Sequence, residues 1–88
     1  MAKVEIYTTM LCGYCGAAKK LLSKKGVEFT EYDVMFKPGL RSEMTERAGG
    51  AASVPQIFID DVAVGGFNEL IELEQDDELD AMLEGSPA

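Results

Sequence analysis

The chain has 88 residues, a formal charge of −8 and a hydrophobic fraction of 47%. This length fits one small domain, and the apolar content is sufficient for a packed core without a metal or structural disulfides. An acidic chain without a basic patch is a poor nucleic-acid binder, and no apolar run approaches the roughly 20 residues of a membrane span.

Hydrophobic periodicity and turn residues predict four strands and three helical segments. In chain order they are strand 3–8, helix 13–25, strand 27–34, helix 40–48, strand 56–59, strand 62–64 and helix 67–83, the last broken near Gln75-Asp76. Gly26 is the predicted stop of the first helix, and Lys37-Pro38-Gly39 is predicted as a turn before the second.

The connections between these elements predict how the strands pair. A helical crossover joins the first two strands, which should therefore be parallel, whereas a tight turn at Asp60-Asp61 joins the last two, which should be antiparallel. The predicted fold class is α/β, a small four-stranded mixed sheet flanked by three to four helices. We expect one domain over residues 1–84 and a frayed tail over 85–88.

The only two cysteines form the motif Cys12-Gly13-Tyr14-Cys15, where the first strand meets the first helix. Cys12 is predicted to be the last residue before the helix, where unpaired backbone N–H groups favour its thiolate, the attacking form. Cys15, one turn further and more buried, is the predicted resolving thiol. Two alternatives are small hydrophobic packing and half of a zinc site, but the chain has no His and no further Cys for the latter.

The cysteines also bear on the compartment. Met1-Ala2-Lys3 leads directly into a strand pattern, so we expect no secretory signal and a soluble, cytoplasmic protein. In that compartment a pair of cysteines is more typical of redox chemistry or metal binding than of a structural disulfide.

Two further segments are candidates for substrate binding. The loop Ser53-Val54-Pro55 is expected to return beside the dithiol, where a cis Pro55 would leave the Val54 backbone facing the sulfurs and open to an extended substrate. Gly65-Gly66 opens the last helix, whose N–H groups could receive a carboxylate. Asn68 is the predicted helix cap and Glu69 could meet an ammonium group; the alternative is an ordinary capped turn.

Three aromatic residues are assigned by their positions. Tyr14, between the cysteines, is predicted to be partly exposed, where its ring could shield a disulfide or stack on a ligand. Tyr7 and Phe58 lie in strand patterns and are predicted to belong to the core.

Taken together, these residues resemble the glutaredoxin family, in particular small bacterial dithiol glutaredoxins, over nearly the whole chain. The resemblance implies a thioredoxin fold, a cis Pro55, and a glutathione–disulfide oxidoreductase that uses Cys12 and Cys15 and takes glutathione as its reductant. It also implies that Val54 pairs with the cysteinyl backbone of glutathione. The segments that carry it are 4–8, 12–15, 21–22, 25–27, 54–59 and 65–66, and the implied glutathione contacts are Tyr14, Val54, Pro55, Gly66, Asn68 and Glu69, the last two at the γ-glutamyl end.

Two positions depart from the family pattern. Thr9 stands where the family usually has a Lys that grips a glutathione carboxylate, and Lys37 or Arg41 could supply the charge instead. Gly13 stands where the family usually has Pro, and its added N–H and small size motivate an alternative function. In relatives that this chain resembles through a Cys-Gly-Tyr-Cys or Cys-Gly-Phe-Ser motif, a homodimer with two glutathiones holds a [2Fe-2S] cluster, and this resemblance implies Cys12 of each chain as ligand. Otherwise we expect a monomer acting on disulfide-bearing or glutathionylated proteins.

Overall fold

A four-stranded mixed sheet is the centre of the fold in the computed structural model, which describes residues 2–84. The strand order is β2-β1-β3-β4, with β1 parallel to β2 and the other two neighbouring pairs antiparallel, so the predicted fold class is confirmed. The predicted tail over 85–88 lies outside the described residues. The elements are β1 (Val4–Thr8), α1 (Gly13–Lys24), β2 (Thr30–Asp33), α2 (Pro38–Arg47), β3 (Gln56–Ile59), β4 (Val62–Gly65), α3 (Phe67–Gln75) and α4 (Leu79–Glu84).

The ends of α1 follow the capping rules that its sequence predicts. Cys12 is the N-cap residue, and its sulfur accepts a hydrogen bond from the Cys15 N–H at 3.1 Å. At the other end Gly26 has φ +76°, the left-handed conformation that glycine adopts without a steric cost. Its N–H donates to the Ser23 carbonyl at 3.0 Å, which confirms Gly26 as the stop of the helix.

Two predicted boundaries are wrong by more than one residue. β2 begins at Thr30 rather than at residue 27, because β1 offers partners only for 30–33, in the register Glu5 to Thr30 through Thr8 to Asp33. α2 begins at Pro38 rather than at residue 40, since proline suits the first turn of a helix, where its missing N–H has no partner to lose. The predicted break of the last helical segment is confirmed by the gap between α3 and α4.

The sheet is covered on both faces, because successive strand residues point to opposite sides. α1, α3 and α4 cover one face, where Val4, Ile6, Leu22, Ile57, Leu70 and Leu79 form the larger core cluster. α2 covers the other, where the core consists of Tyr7, Val34, Met44 and Phe58, which confirms that Tyr7 and Phe58 are buried. None of the helices within residues 2–84 is long and apolar enough to cross a membrane.

An ion-pair network lies on the α2 face of the sheet. Arg47, the last residue of α2, donates to the Glu5 carboxylate at 2.9 Å and to the Tyr7 hydroxyl at 2.8 Å, and its guanidinium lies 4.1 Å from the centre of the Phe58 ring. The Tyr32 hydroxyl also donates to Glu5, at 3.1 Å. The Arg47 hydrogen bond lowers the pKa of the Glu5 carboxyl below its ordinary value. The network therefore joins the end of α2 to β1 and β2.

The two ends of the described chain meet. The backbone N–H of Ala2 donates to the carbonyl of Leu83 in α4 at 3.2 Å, and Leu83 belongs to the larger core cluster. This contact lies at the end of the sheet where β1 begins, whereas Cys12 follows the end at which β1 stops.

Candidate active site

The two cysteine side chains differ sharply in exposure. Both are free thiols, but Cys12 is half-buried whereas only 2% of Cys15 is exposed. Cys12 has extended backbone angles immediately before α1, and Cys15 lies one turn into the helix. The predicted placement of the dithiol is therefore confirmed, and only Cys12 is open to a reaction partner.

The environment of Cys15 favours its protonated form. Burial, followed by the hydrogen bond with Cys12, raises the pKa of the Cys15 thiol to about 12. The Thr9 backbone and the positive charge of Lys19 oppose this rise, with smaller effects. Because the thiolate is the nucleophile, Cys15 is unreactive near neutral pH in the reduced protein. Of the two thiols, Cys12 is therefore the one whose surroundings leave it available to react.

The loop before β3 returns beside the dithiol, as the sequence predicts. β3 pairs with β1, so Gln56 lies opposite Tyr7 and the preceding loop lies near the residues that follow β1. The Val54–Pro55 peptide bond is cis, which confirms the expectation drawn from the family resemblance. The Cys12 thiol donates to the Val54 carbonyl at 3.7 Å. The Val54 backbone therefore borders the reactive sulfur.

The start of α3 is capped differently from the prediction. Gly66 is the N-cap residue, and its N–H donates to the Glu69 carboxylate at 2.7 Å. The prediction of Asn68 as the cap is wrong, because the chain turns at the glycines themselves and Asn68 is already the second residue of the helix. The Glu69 carboxylate therefore provides the hydrogen-bond acceptor for the backbone N–H of the N-cap residue of α3.

A cleft of about 240 Å³ lies between the cis-proline loop and the start of α3. All six residues expected to contact glutathione line it, although their role in binding stays a prediction. The rings of Tyr14 and Phe67 approach to 5.9 Å between centroids and form one side, and 66% of Tyr14 is exposed, as predicted. Ser53 and Phe67 were not assigned a role from the sequence, although each adjoins an assigned residue. The lining residues are Tyr14, Ser53, Val54, Pro55, Gly66, Phe67, Asn68 and Glu69.

The side chains within residues 2–84 that line the cleft include one acidic group and no basic group. Among the described residues that line it, Glu69 is the one ionisable carboxylate, and there is no Lys or Arg. Arg41 and Lys37 are the two cations considered as replacements for the Lys that is missing at position 9. Arg41 donates to the Ala52 carbonyl at 2.9 Å and so contacts the loop that leads to the cleft. Lys37 is the exposed N-cap residue of α2.

Replacing Gly65 with Ala tests the close approach of residue 65 to the Glu69 side chain at the start of α3. Gly65 has φ +115°, and a Cβ there would lie 2.8 Å from Glu69 Oε1 and 2.9 Å from Glu69 Cγ. We expect Gly65→Ala to lower the free energy of unfolding by about 2 kcal/mol, measured by urea denaturation. The matched control is Gly16→Ala in α1, where a Cβ meets nothing within 4 Å and should stabilise the helix by about 0.5–1 kcal/mol. Equal stability of the two variants would contradict this account.

Comparison with known proteins agrees with this geometry. The family model for glutaredoxin matches residues 4–64. A glutaredoxin from Pseudomonas aeruginosa is 48% identical over 83 residues, which cover 94% of this chain and 98% of that protein. The solution structure of a glutaredoxin from Brucella melitensis has a TM-score of 0.84 at 47% identity and covers 100% of this chain and 96% of its own. The crystal structure of a buckwheat glutaredoxin–glutathione complex is 23% identical and has a TM-score of 0.85. The match covers 94% of this chain and 77% of the buckwheat chain.

These matches extend over most of the chain, and the dithiol lies at a helix start beside a cis proline. The protein is therefore a thiol–disulfide oxidoreductase with the thioredoxin fold, and it belongs to the glutaredoxin family.

Proposed function

We propose that the protein uses glutathione to reduce glutathione mixed disulfides and protein disulfides. The observation that carries this proposal is the cleft, in which six residues expected to contact glutathione lie together beside the half-buried Cys12. The related buckwheat protein, described as a glutaredoxin–glutathione complex, supports the choice of ligand. A dithiol that must be reduced again after each reaction needs a reducing environment, so we also propose that the protein acts in the cytoplasm.

In the reaction with a glutathionylated protein, the Cys12 thiolate attacks the glutathione sulfur and the protein leaves as a thiolate. The new bond joins Cys12 to glutathione, which the cleft holds through the Val54 backbone and the start of α3. A second glutathione thiolate then attacks the glutathione sulfur of this mixed disulfide, releases Cys12 as a thiolate and forms oxidised glutathione. Cys15 takes no part in this sequence.

In the reaction with a protein disulfide, Cys12 attacks one client sulfur and the other leaves as a thiolate. Cys15 then loses its proton and attacks the Cys12 sulfur, so the client leaves fully reduced and a Cys12–Cys15 disulfide forms. Two glutathione molecules reduce that disulfide and become oxidised glutathione. The hydrogen bond from the Cys15 N–H to the Cys12 sulfur holds the two cysteines close enough for this exchange.

A coupled assay tests the dependence on glutathione. The substrate is a glutathionylated peptide, and glutathione with glutathione reductase and NADPH regenerates the protein. We expect NADPH oxidation that requires both the protein and glutathione, whereas thioredoxin reductase without glutathione should not support turnover. Equal turnover in the two systems would refute the assignment of the reductant.

The alternative function is a cluster-bridged homodimer. Within residues 2–84 no group of three or more His, Cys, Asp or Glu side chains could hold a metal ion, so one chain alone does not fit a cluster. The observation in favour is Gly13, where a Cβ would meet nothing within 4 Å, so the space beside Cys12 is open. Two chains and two glutathiones would have to supply the thiolates, with Cys12 as the protein ligand.

Anaerobic reconstitution with iron, sulfide and glutathione separates the two functions. A bridged cluster should give a brown dimer that Cys15→Ser retains, that Cys12→Ser loses, and that reverts to a monomer when glutathione is removed. A colourless monomer after reconstitution would exclude the alternative and leave the oxidoreductase.

A further inference from the structure

The loop that precedes β3 borders both the cleft and the reactive thiol. Residues 51–55 belong to no helix or strand, and the first three of them are exposed. Ser53, Val54 and Pro55 line the cleft, and the Val54 carbonyl accepts the hydrogen bond from the Cys12 thiol at 3.7 Å. An exposed segment outside regular structure has many conformations available, so its shape at the cleft depends on the contacts that hold it.

The side chain of Gln56 holds this loop from within the sheet. Gln56 is the first residue of β3, is only 4% exposed and lies opposite Tyr7 of β1. Its amide Nε2 donates to the Ser53 carbonyl at 3.0 Å and to the Ser53 hydroxyl oxygen at 3.3 Å. The side chain therefore joins the residue that follows Pro55 to the residue that precedes Val54.

The bond to the Ser53 carbonyl also determines which way the amide faces. A carbonyl oxygen can only accept a hydrogen bond, so the NH2 group of Gln56, and not its oxygen, must point to Ser53. The other residues of β3, Ile57, Phe58 and Ile59, are all apolar. A buried amide is unfavourable unless it is hydrogen-bonded, and an apolar side chain would avoid that cost. The glutamine is therefore explained by its bonds to the loop rather than by burial.

The loop has further contacts on its other sides. Arg41 of α2 donates to the Ala52 carbonyl at 2.9 Å, but Arg41 is exposed and its guanidinium ends a long side chain, whereas Gln56 extends from a strand that is paired with β1. A Cβ added at Gly66 would lie 3.4 Å from the Pro55 carbonyl oxygen, so the loop also lies close to the start of α3. Gln56 is thus the most firmly held of the side chains that bond to the loop.

We propose that Gln56 is a positioning residue for the glutathione part of the substrate: by fixing Ser53, it holds the Val54 backbone in the place where that part docks. The proposal rests on the glutathione-dependent function proposed above and adds a residue that does not itself line the cleft. The Cys12 sulfur is held separately, by the Cys15 N–H at the start of α1. Removal of the Gln56 amide should therefore weaken substrate binding and leave the chemistry of the thiol intact.

Replacing Gln56 with Met tests the proposal, since methionine has a similar volume but no donor. We expect KM for a glutathionylated peptide to rise about fivefold, as loss of one well-aligned hydrogen bond would give, and kcat to stay within about twofold. The single-turnover reaction of the reduced variant with dithiobis(nitrobenzoate), a disulfide without a glutathione part, should keep its rate within about twofold. Gln56→Asn, whose amide is one methylene nearer the backbone and cannot reach Ser53, should reproduce the rise in KM.

Tyr32→Phe is the matched control. It removes the hydroxyl that donates to Glu5 at 3.1 Å, a part-buried bond of a residue that does not line the cleft. Tyr32→Phe and Gln56→Met should each lower Tm by about 4–8 °C, because each loses about one hydrogen bond of a buried or part-buried group. Tyr32→Phe should nevertheless leave KM for the glutathionylated peptide within about twofold of the unmodified protein.

The outcomes separate this proposal from the proposed function. An unchanged KM in both Gln56 variants would overturn the positioning role while the oxidoreductase stands. An equal rise in KM with Tyr32→Phe would overturn it too, since the effect would then follow stability. An equal loss of rate with dithiobis(nitrobenzoate) would do the same, since the thiol itself would be impaired. Absence of glutathione-dependent turnover in the unmodified protein would instead refute the proposed function.

Discussion

Replacing Cys12 with Ser should abolish glutathione-dependent turnover of a small mixed disulfide, a loss of more than about a thousandfold, whereas Cys15→Ser should keep a good part of it. A serine hydroxyl is far too weak an acid to form the attacking anion near neutral pH. Cys15 cannot take over, because only 2% of its surface is exposed and burial raises its pKa to about 12. The measurement is NADPH oxidation in the coupled assay with a glutathionylated peptide.

A protein disulfide as substrate provides the complementary measurement. Cys15→Ser should lose most of this activity, because the mixed disulfide between Cys12 and the client then has no internal thiol to resolve it. Alkylation of Cys12→Ser with iodoacetamide near pH 8 should give no adduct in the folded protein and one after unfolding, since the raised pKa keeps Cys15 protonated. Equal loss of both activities in the two variants would contradict the assigned roles.

Replacing Arg47 with Met should lower the free energy of unfolding by about 2–3 kcal/mol near pH 7. The Glu5 side chain is only 10% exposed, so removal of the guanidinium leaves a poorly hydrated carboxylate. Its remaining partners are the Tyr32 hydroxyl and Lys3, whose ammonium is 3.9 Å away. The effect is smaller than for a fully buried pair, because 24% of the Arg47 side chain is exposed. Urea denaturation followed by circular dichroism measures it.

The same pair predicts a pH dependence. The folded-state pKa of Glu5 lies below its unfolded value, so its contribution to stability is complete above the unfolded value and is lost as the pH falls through the folded one. The stability gap between the unmodified protein and Arg47→Met should therefore narrow between about pH 6 and pH 3. Arg41→Met, which removes an exposed arginine of the same helix, should cost less than about 1 kcal/mol at either pH. A constant gap for Arg47→Met would exclude Glu5 as the cause.

Local signals fixed some elements well and left others open. β3 was predicted at its observed bounds, because the tight turn at Asp60-Asp61 ends it, and both residues have positive φ angles of 51° and 66°. The sequence predicts too long a β2, because residues 27–29 alternate like a strand but do not pair with β1. Whether they pair depends on where β1 begins and not on their own pattern. Long-range register of this kind is not readable from one segment.

The site was predicted at the level of residues but not of contacts. The motif and the family resemblance identified every residue of the cleft except Ser53 and Phe67. The capping bond from Gly66 to Glu69 was missed, because it depends on a side-chain conformation that the sequence does not specify. The sequence also does not show that Phe36 is exposed and has a left-handed backbone; both depend on the conformation of the loop after β2.

The bond between Ala2 and Leu83 places residues 2 and 84 close together, at the end of the sheet away from Cys12. A fluorescent reporter, an electrode tether or a second enzyme joined at residue 2 or at residue 84 would leave from the side opposite Cys12, so it would not obstruct the dithiol. The short separation of these residues also allows a brief linker to join them in a circular permutant. The geometry thus favours redox sensors in which the glutaredoxin domain is fused through one end while its active site faces outward.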